Sequence, residues 1–115
     1  MTYSKLVWTG CAVVIALSAP GAAAQSADAV SRGAGVFAAQ KCGICHSVAD
    51  LGNKRGALDD VGARLSVADI RAWIVDAPGM TKKTKAERKP PMRAYANLAD
   101  ADLDALVAYL QSLKP

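Results

Sequence analysis

Cys42-Gly43-Ile44-Cys45-His46 is the stretch on which the reading of this 115-residue chain turns. Its two thiols are spaced to form thioether bonds with the two vinyl groups of one porphyrin. The imidazole that follows is then placed to bind the iron from one face. The spacing therefore points to one covalently attached c-type haem, with Cys42 and Cys45 as attachment points and His46 as an axial iron ligand. Other uses compete. A structural zinc site takes four protein ligands, and the cluster offers three; the chain has no second histidine, and its third cysteine is Cys11. A redox-active dithiol sits on a βαβ scaffold, and no convincing strand run is visible.

The N-terminus bears on the same choice. Lys5 gives a short positive region, Leu6 to Ala19 is apolar or small, and Ala22-Ala23-Ala24 forms an A-x-A cleavage site before Gln25. This pattern predicts a secretory signal peptide over residues 1–24, too short and wrongly flanked for a membrane span. Cys11 leaves with it. An uncleaved N-terminal anchor is the competing reading. Export to the periplasm agrees with the motif, because haem is joined to such thiols outside the bacterial cytoplasm. Cleavage leaves residues 25–115 as one small domain with a marginal core of its own. A large, flat apolar cofactor supplies the missing buried surface, which suits a domain with only Phe37, Trp73, Tyr95 and Tyr109 as aromatics. Of the 14 basic residues only Lys5 is lost, against 10 acidic ones retained. Two haem propionates offset much of that excess, so charge alone gives no argument for nucleic acid.

The pattern along the domain is all-α. A first helix is expected from near Asp28 to about Gln40, with Val30, Ala34 and Phe37 facing inward. Gly33 and Gly35 are costly there, by up to roughly 1 kcal/mol each, unless another backbone comes close. A Gly-rich polar loop runs from Ser47 to about Gly62. Ser66 caps a helix with Asp69 three residues on, Ile70, Trp73 and Ile74 form its stripe, and Pro78-Gly79 ends it. Residues 80–97 read as loop. The last helix spans about Ala99 to Leu113, with Leu103, Leu106, Val107 and Leu110 buried and Asp100, Asp102 and Asp104 near its positive end.

The iron's second face has two candidate ligands in the domain, Met80 and Met92. A thioether raises the potential and excludes small molecules, whereas an open face permits gas binding or peroxide chemistry. Met92 follows Lys89-Pro90-Pro91, a stiff segment suited to holding a flexible side chain still. Met80 follows a helix end with nothing comparable to pin it.

These residues resemble the small class I bacterial monohaem c-type cytochromes over nearly all of 28–114. The likeness runs through Gly33 and Phe37, the Cys42-to-His46 motif, Gly56-Ala57-Leu58, Val61-Gly62 and Ala72-Trp73-Ile74. It continues through Met92, Tyr95, Leu98 and Leu106-Val107-Ala108-Tyr109-Leu110. The resemblance implies a cytochrome c-like fold of three to four helices wrapped around one covalently bound haem c. It implies crossed first and last helices, Gly33 and Phe37 meeting Tyr109, and Met92 as second axial ligand. It departs from the family in three places. Ala57 stands where a proline usually offers its carbonyl to the axial histidine. Arg93 stands where proline commonly follows the methionine. Phe37 lies five residues before Cys42 rather than four.

The expected role is periplasmic electron transfer by a six-coordinate His46/Met92 haem, a carrier rather than an enzyme. Alternatives are a cytochrome subunit of a larger dehydrogenase complex, or a five-coordinate haem sensor or peroxidase. Redox proteins are the expected partners. Lys82, Lys83, Lys85, Arg88, Lys89 and Arg93 crowd the Met92 loop with Glu87 alone opposing, which suggests an acidic docking face on the partner.

Overall fold

The first helix, α1, spans Ala22–Ala39 in a computed structural model that describes residues 22–115, with side chains from residue 27 on. The leader read from the sequence lies outside the described residues through position 21. Its last residues, Ala22-Ala23-Ala24, form the opening turn of α1, six residues ahead of the expected start. Alanine is the best helix former, so nothing local stops the helix at Asp28. Among the described residues no helix is long and apolar enough to cross a membrane.

Beyond α1 come a 3-10 turn at Cys42–Ile44, β1 (Ser47–Val48), β2 (Leu51–Gly52) and a second 3-10 turn at Lys54–Gly56. The helices α2 (Val61–Arg64), α3 (Val67–Val75), α4 (Ala77–Thr84) and α5 (Asp100–Ser112) follow. The two strands form an antiparallel hairpin with Ser47 opposite Gly52 and Val48 opposite Leu51. Ala49 and Asp50 at its tip both have positive φ, as the twist of a two-residue hairpin turn requires. The all-α reading holds, with this small hairpin inside the segment expected as loop.

α3 starts as its sequence dictates. Ser66 Oγ accepts from the Asp69 N–H at 3.1 Å and donates to the Asp69 carboxylate at 3.0 Å. Ile70 and Ile74 are buried and Trp73 is half-buried.

The expected loop over 80–97 is corrected: α4 occupies Ala77–Thr84, giving five α-helices among the described residues rather than three or four. Pro78-Gly79 begins a helix instead of ending one. Asp76 accepts from the Gly79 N–H at 3.1 Å, and proline in the first turn loses no bond because those N–H groups have no partner within the helix. Met80 thereby falls inside α4, buried.

The core lies between α1, α3 and α5. Val36, Val61, Ile70, Ile74, Leu103, Leu106, Val107 and Leu110 make its centre. Val36 and Gly33 carry the buried line of α1, with Val30, Ala34 and Phe37 at its flanks. α1 and α5 cross at Gly33, where a Cβ would run into the Ala105 carbonyl and the Tyr109 side chain. Phe37 and Tyr109 meet edge to face with ring centroids 5.7 Å apart, so the one-residue offset from the family spacing leaves the contact intact. Gly35 faces open space. Arg32 ties α1 to Asp102 of α5 at 2.8 Å, and Arg71 of α3 pairs with Asp104, so two of the three acids on α5 serve across helices.

Candidate functional site

Where α1 ends, Lys41 takes a left-handed conformation and the chain turns at once into Cys42–Ile44. The His46 N–H donates to the Cys42 carbonyl at 2.8 Å, closing one helical turn. Residues four apart on such a turn share a face, which sets Cys42 beside His46. Cys45 is exposed and Cys42 half-buried, and they form no disulfide. Burial pushes the Cys42 thiol up, with its own backbone bond and the Arg93 charge pulling the other way.

Nδ1–H of His46 donates to the Gly56 carbonyl at 2.9 Å. The expected partner was the carbonyl of Ala57, one residue later. Ala57 is drawn into a parallel bridge with Ser47, and the carbonyl facing the ring is the one before it. A ring that donates from Nδ1 keeps its lone pair on Nε2, the tautomer a metal needs. Burial lowers the His46 pKa, the Gly56 bond opposes, and the Arg88 charge adds to the lowering. The result favours neutral imidazole.

Asn53 holds this arrangement together, a role its reading as a turn former missed. Its N–H lies 3.0 Å from the His46 carbonyl and 3.1 Å from that of Gly43, and its side-chain amide donates to the Ile44 carbonyl at 3.2 Å. Its own carbonyl-type Oδ1 accepts from the Arg55 N–H at 3.1 Å. An asparagine seven residues after a Cys-x-x-Cys-His, in a turn, is a weak signal. Only the fold shows that it binds the backbone between Gly43 and His46.

Cys42 and His46 line a small, partly open cavity of about 40 Å³. Its walls are apolar: Phe37 from α1, Leu58, Ile74 from α3, and Leu106 and Leu110 from α5. Met92 and Tyr95 close it from the segment between α4 and α5. Tyr95 is anchored by its N–H, which donates to the Ile74 carbonyl at 2.7 Å, and Arg93 stacks on its ring with the guanidinium carbon 4.9 Å from the centroid. Met80 is not part of this lining. The structure thus brings Cys42, His46 and Met92 together, with Cys45 in the adjoining turn.

The donor set and the walls suit a flat apolar group bearing one metal. One thiol, Cys42, borders the cavity and a second, Cys45, lies in the adjoining turn; one imidazole has a free nitrogen, Met92 is part of the lining, and aliphatic side chains complete it. Zinc and dithiol chemistry fare worse. Among the described residues no group of three or more His, Cys, Asp and Glu gathers as a metal centre, and the strands are two residues each in one hairpin, without a βαβ unit.

The comparisons with known proteins agree. Over 93 residues, 73% of this chain, the sequence is 33% identical to the cytochrome c oxidase subunit 2 of Alkalihalophilus pseudofirmus. The match covers 25% of that protein's length. No solved structure matches. The cytochrome c family description matches residues 30–114. On that match the chain belongs to the cytochrome c family, whose cofactor is covalently bound haem c.

Proposed function

We propose that this chain is a one-electron carrier whose haem is bonded to Cys42 and Cys45 and ligated by His46 and Met92. When bound, haem c supplies ferric–ferrous chemistry. The observation that carries the reading is that His46 and Met92 line one apolar void while Met80 is buried in α4. His46 enters as a neutral ring already oriented by Gly56. Met92, on the lining of the same cavity, would hold the metal by its thioether and so exclude small ligands. Phe37, Leu58, Ile74, Leu106 and Leu110 keep water from the metal's surroundings. A site held this way on both sides changes little on gain or loss of an electron, which suits a carrier and leaves no open position for catalysis.

The test is the visible spectrum of the oxidised holoprotein in its weak far-red sulfur-to-iron band, for wild type, Met80→Ala and Met92→Ala. The band disappears in Met92→Ala alone. A wild-type protein without the band, binding carbon monoxide when reduced, transfers the argument to a five-coordinate sensor or peroxidase.

The setting of the activity belongs to the same proposal. The leader pattern over residues 1–24 supports export to the periplasm, leaving the domain of residues 25–115. The second reading, an electron-transfer module within a larger complex, is supported by the likeness to an oxidase subunit of which the chain spans a quarter. Co-purification with a fixed partner separates the two.

Docking follows from charge. Lys82, Lys83, Lys85, Lys89 and Arg93 are exposed around the Met92 segment, and we read them as a face for an acidic redox partner. The expected result is an electron-transfer rate that falls steeply with added salt. A flat salt response removes the acidic partner.

A further inference from the structure

Arg88 is exposed like the rest of that rim but differs in bonding to the backbone beside His46. It stands four residues ahead of Met92, and its Nη2 donates to the carbonyl of Cys45, the peptide group that leads into His46. The same guanidinium lies against Gly56. A Cβ on Gly56 would run into Nη1 and Cζ of Arg88 as well as the Cys45 carbonyl. Gly56 is the residue whose carbonyl orients His46. One side chain from the Met92 segment therefore bonds the peptide that leads into His46 and packs against the residue whose carbonyl orients its ring.

The rest of the segment shows why this contact has consequences. Tyr95, on the far side of Met92, is fastened to Ile74 by its N–H. On the near side, α4 ends at Thr84 and the intervening residues are exposed. Pro90 and Pro91 stiffen the span between Arg88 and Met92. A planar guanidinium can lie flat on a glycine while donating sideways to a carbonyl; an ammonium cannot do both.

We propose that Arg88 is a positioning residue that joins the two ligand arms, holding the Met92 segment against the Cys45–His46 backbone and favouring ferrous iron by its charge. This rests on the reading of His46 and Met92 as the axial pair. A positive charge near the metal raises the cost of the ferric state, and a tethered thioether dissociates less often.

The experiment uses the holoprotein as wild type, Arg88→Gln, Arg88→Lys and Arg55→Gln. Arg55 lies one residue from Gly56, is exposed, and has no side-chain bond among the described residues, so its loss removes a nearby charge and nothing else. Three quantities are read: the ferric-to-ferrous ratio at a fixed solution potential, the rate of carbon monoxide binding to ferrous protein, and the rate of cleavage after Lys85 by a lysine-specific protease. In Arg88→Gln, carbon monoxide binding and cleavage after Lys85 each accelerate about tenfold, the loss of roughly one charge-assisted hydrogen bond. The ferric-to-ferrous ratio rises about threefold, as expected for one removed charge at a screened site. Arg88→Lys restores the ratio but not the slow carbon monoxide binding. Arg55→Gln leaves both rates at wild-type values. Equal behaviour of Arg88→Gln and Arg55→Gln in all three readouts overturns the proposal. If wild-type ferrous protein already binds carbon monoxide fast, the Met92 assignment fails, and cleavage after Lys85 alone then decides whether Arg88 holds the segment.

Discussion

Replacing Cys42 and Cys45 together by serine leaves a chain that carries no haem through a denaturing gel and loses much of its helix. The first half of this result follows from bonding. Thioethers survive denaturation and axial ligands do not, so the stain reports the two cysteines alone. The second half follows from the core. The void beside His46 is walled by Phe37, Leu58, Ile74, Leu106 and Leu110, residues contributed by α1, α3, α5 and the loop between the hairpin and α2. Those elements meet around a small apolar cavity beside His46. Without a tightly held occupant, the apolar walls face water, and a domain this small has little core to spare. Far-ultraviolet circular dichroism of the purified double variant is expected to fall by about half, because binding free energy in such domains is folding free energy. A double variant that still stains for haem would show that attachment runs through other residues. One that keeps its full helix signal would show that the core closes without the cofactor.

Gly33→Val is expected to produce a large loss of stability, and Gly35→Ala a gain. The two glycines are two residues apart in one helix, and the sequence treats them alike. Their surroundings do not. At Gly33 the α5 backbone crosses so closely that a Cβ meets the Ala105 carbonyl and the Tyr109 side chain. Backbone cannot step aside, so the helices must separate and the Phe37–Tyr109 contact opens with them. The cost is about 3 kcal/mol for overpacking of this kind. For a domain of this size that lowers Tm by about 15 °C. Gly35 meets nothing, and alanine there raises stability by roughly 0.5–1 kcal/mol through helix propensity. Thermal unfolding of the two holoproteins against wild type measures both. A Gly33→Val protein that melts with wild type would mean that α1 and α5 can cross elsewhere.

What the sequence revealed divides by range. The Cys42–His46 motif, the Ser66 cap and the stripe on α5 are short patterns whose physical cause lies within a few residues, and each is found where it was read. α4 escaped because Pro78-Gly79 carries opposite meanings at the two ends of a helix. The aspartate at position 76, able to cap the Gly79 N–H, was the local sign that it marks a beginning. The residues that line the candidate site were legible in the sequence, and the bonds that support them were not. Asn53 binding the Gly43 and His46 carbonyls, Gly56 rather than Ala57 orienting the ring, and Arg88 reaching Cys45 all join residues whose spacing has no period. Such bonds depend on how the hairpin and the Met92 segment fold back, which no single stretch encodes.

The crossing at Gly33 also sets an order of events. The helix that leads into Cys42 finds its main partner in α5, some seventy residues later, as the Arg32–Asp102 pair makes plain. Closing so long a loop is slow and must come late. Until α5 has docked, the turn bearing both thiols sits behind an unpartnered helix. The topology thus leaves that turn open until the crossing of α1 and α5 has formed.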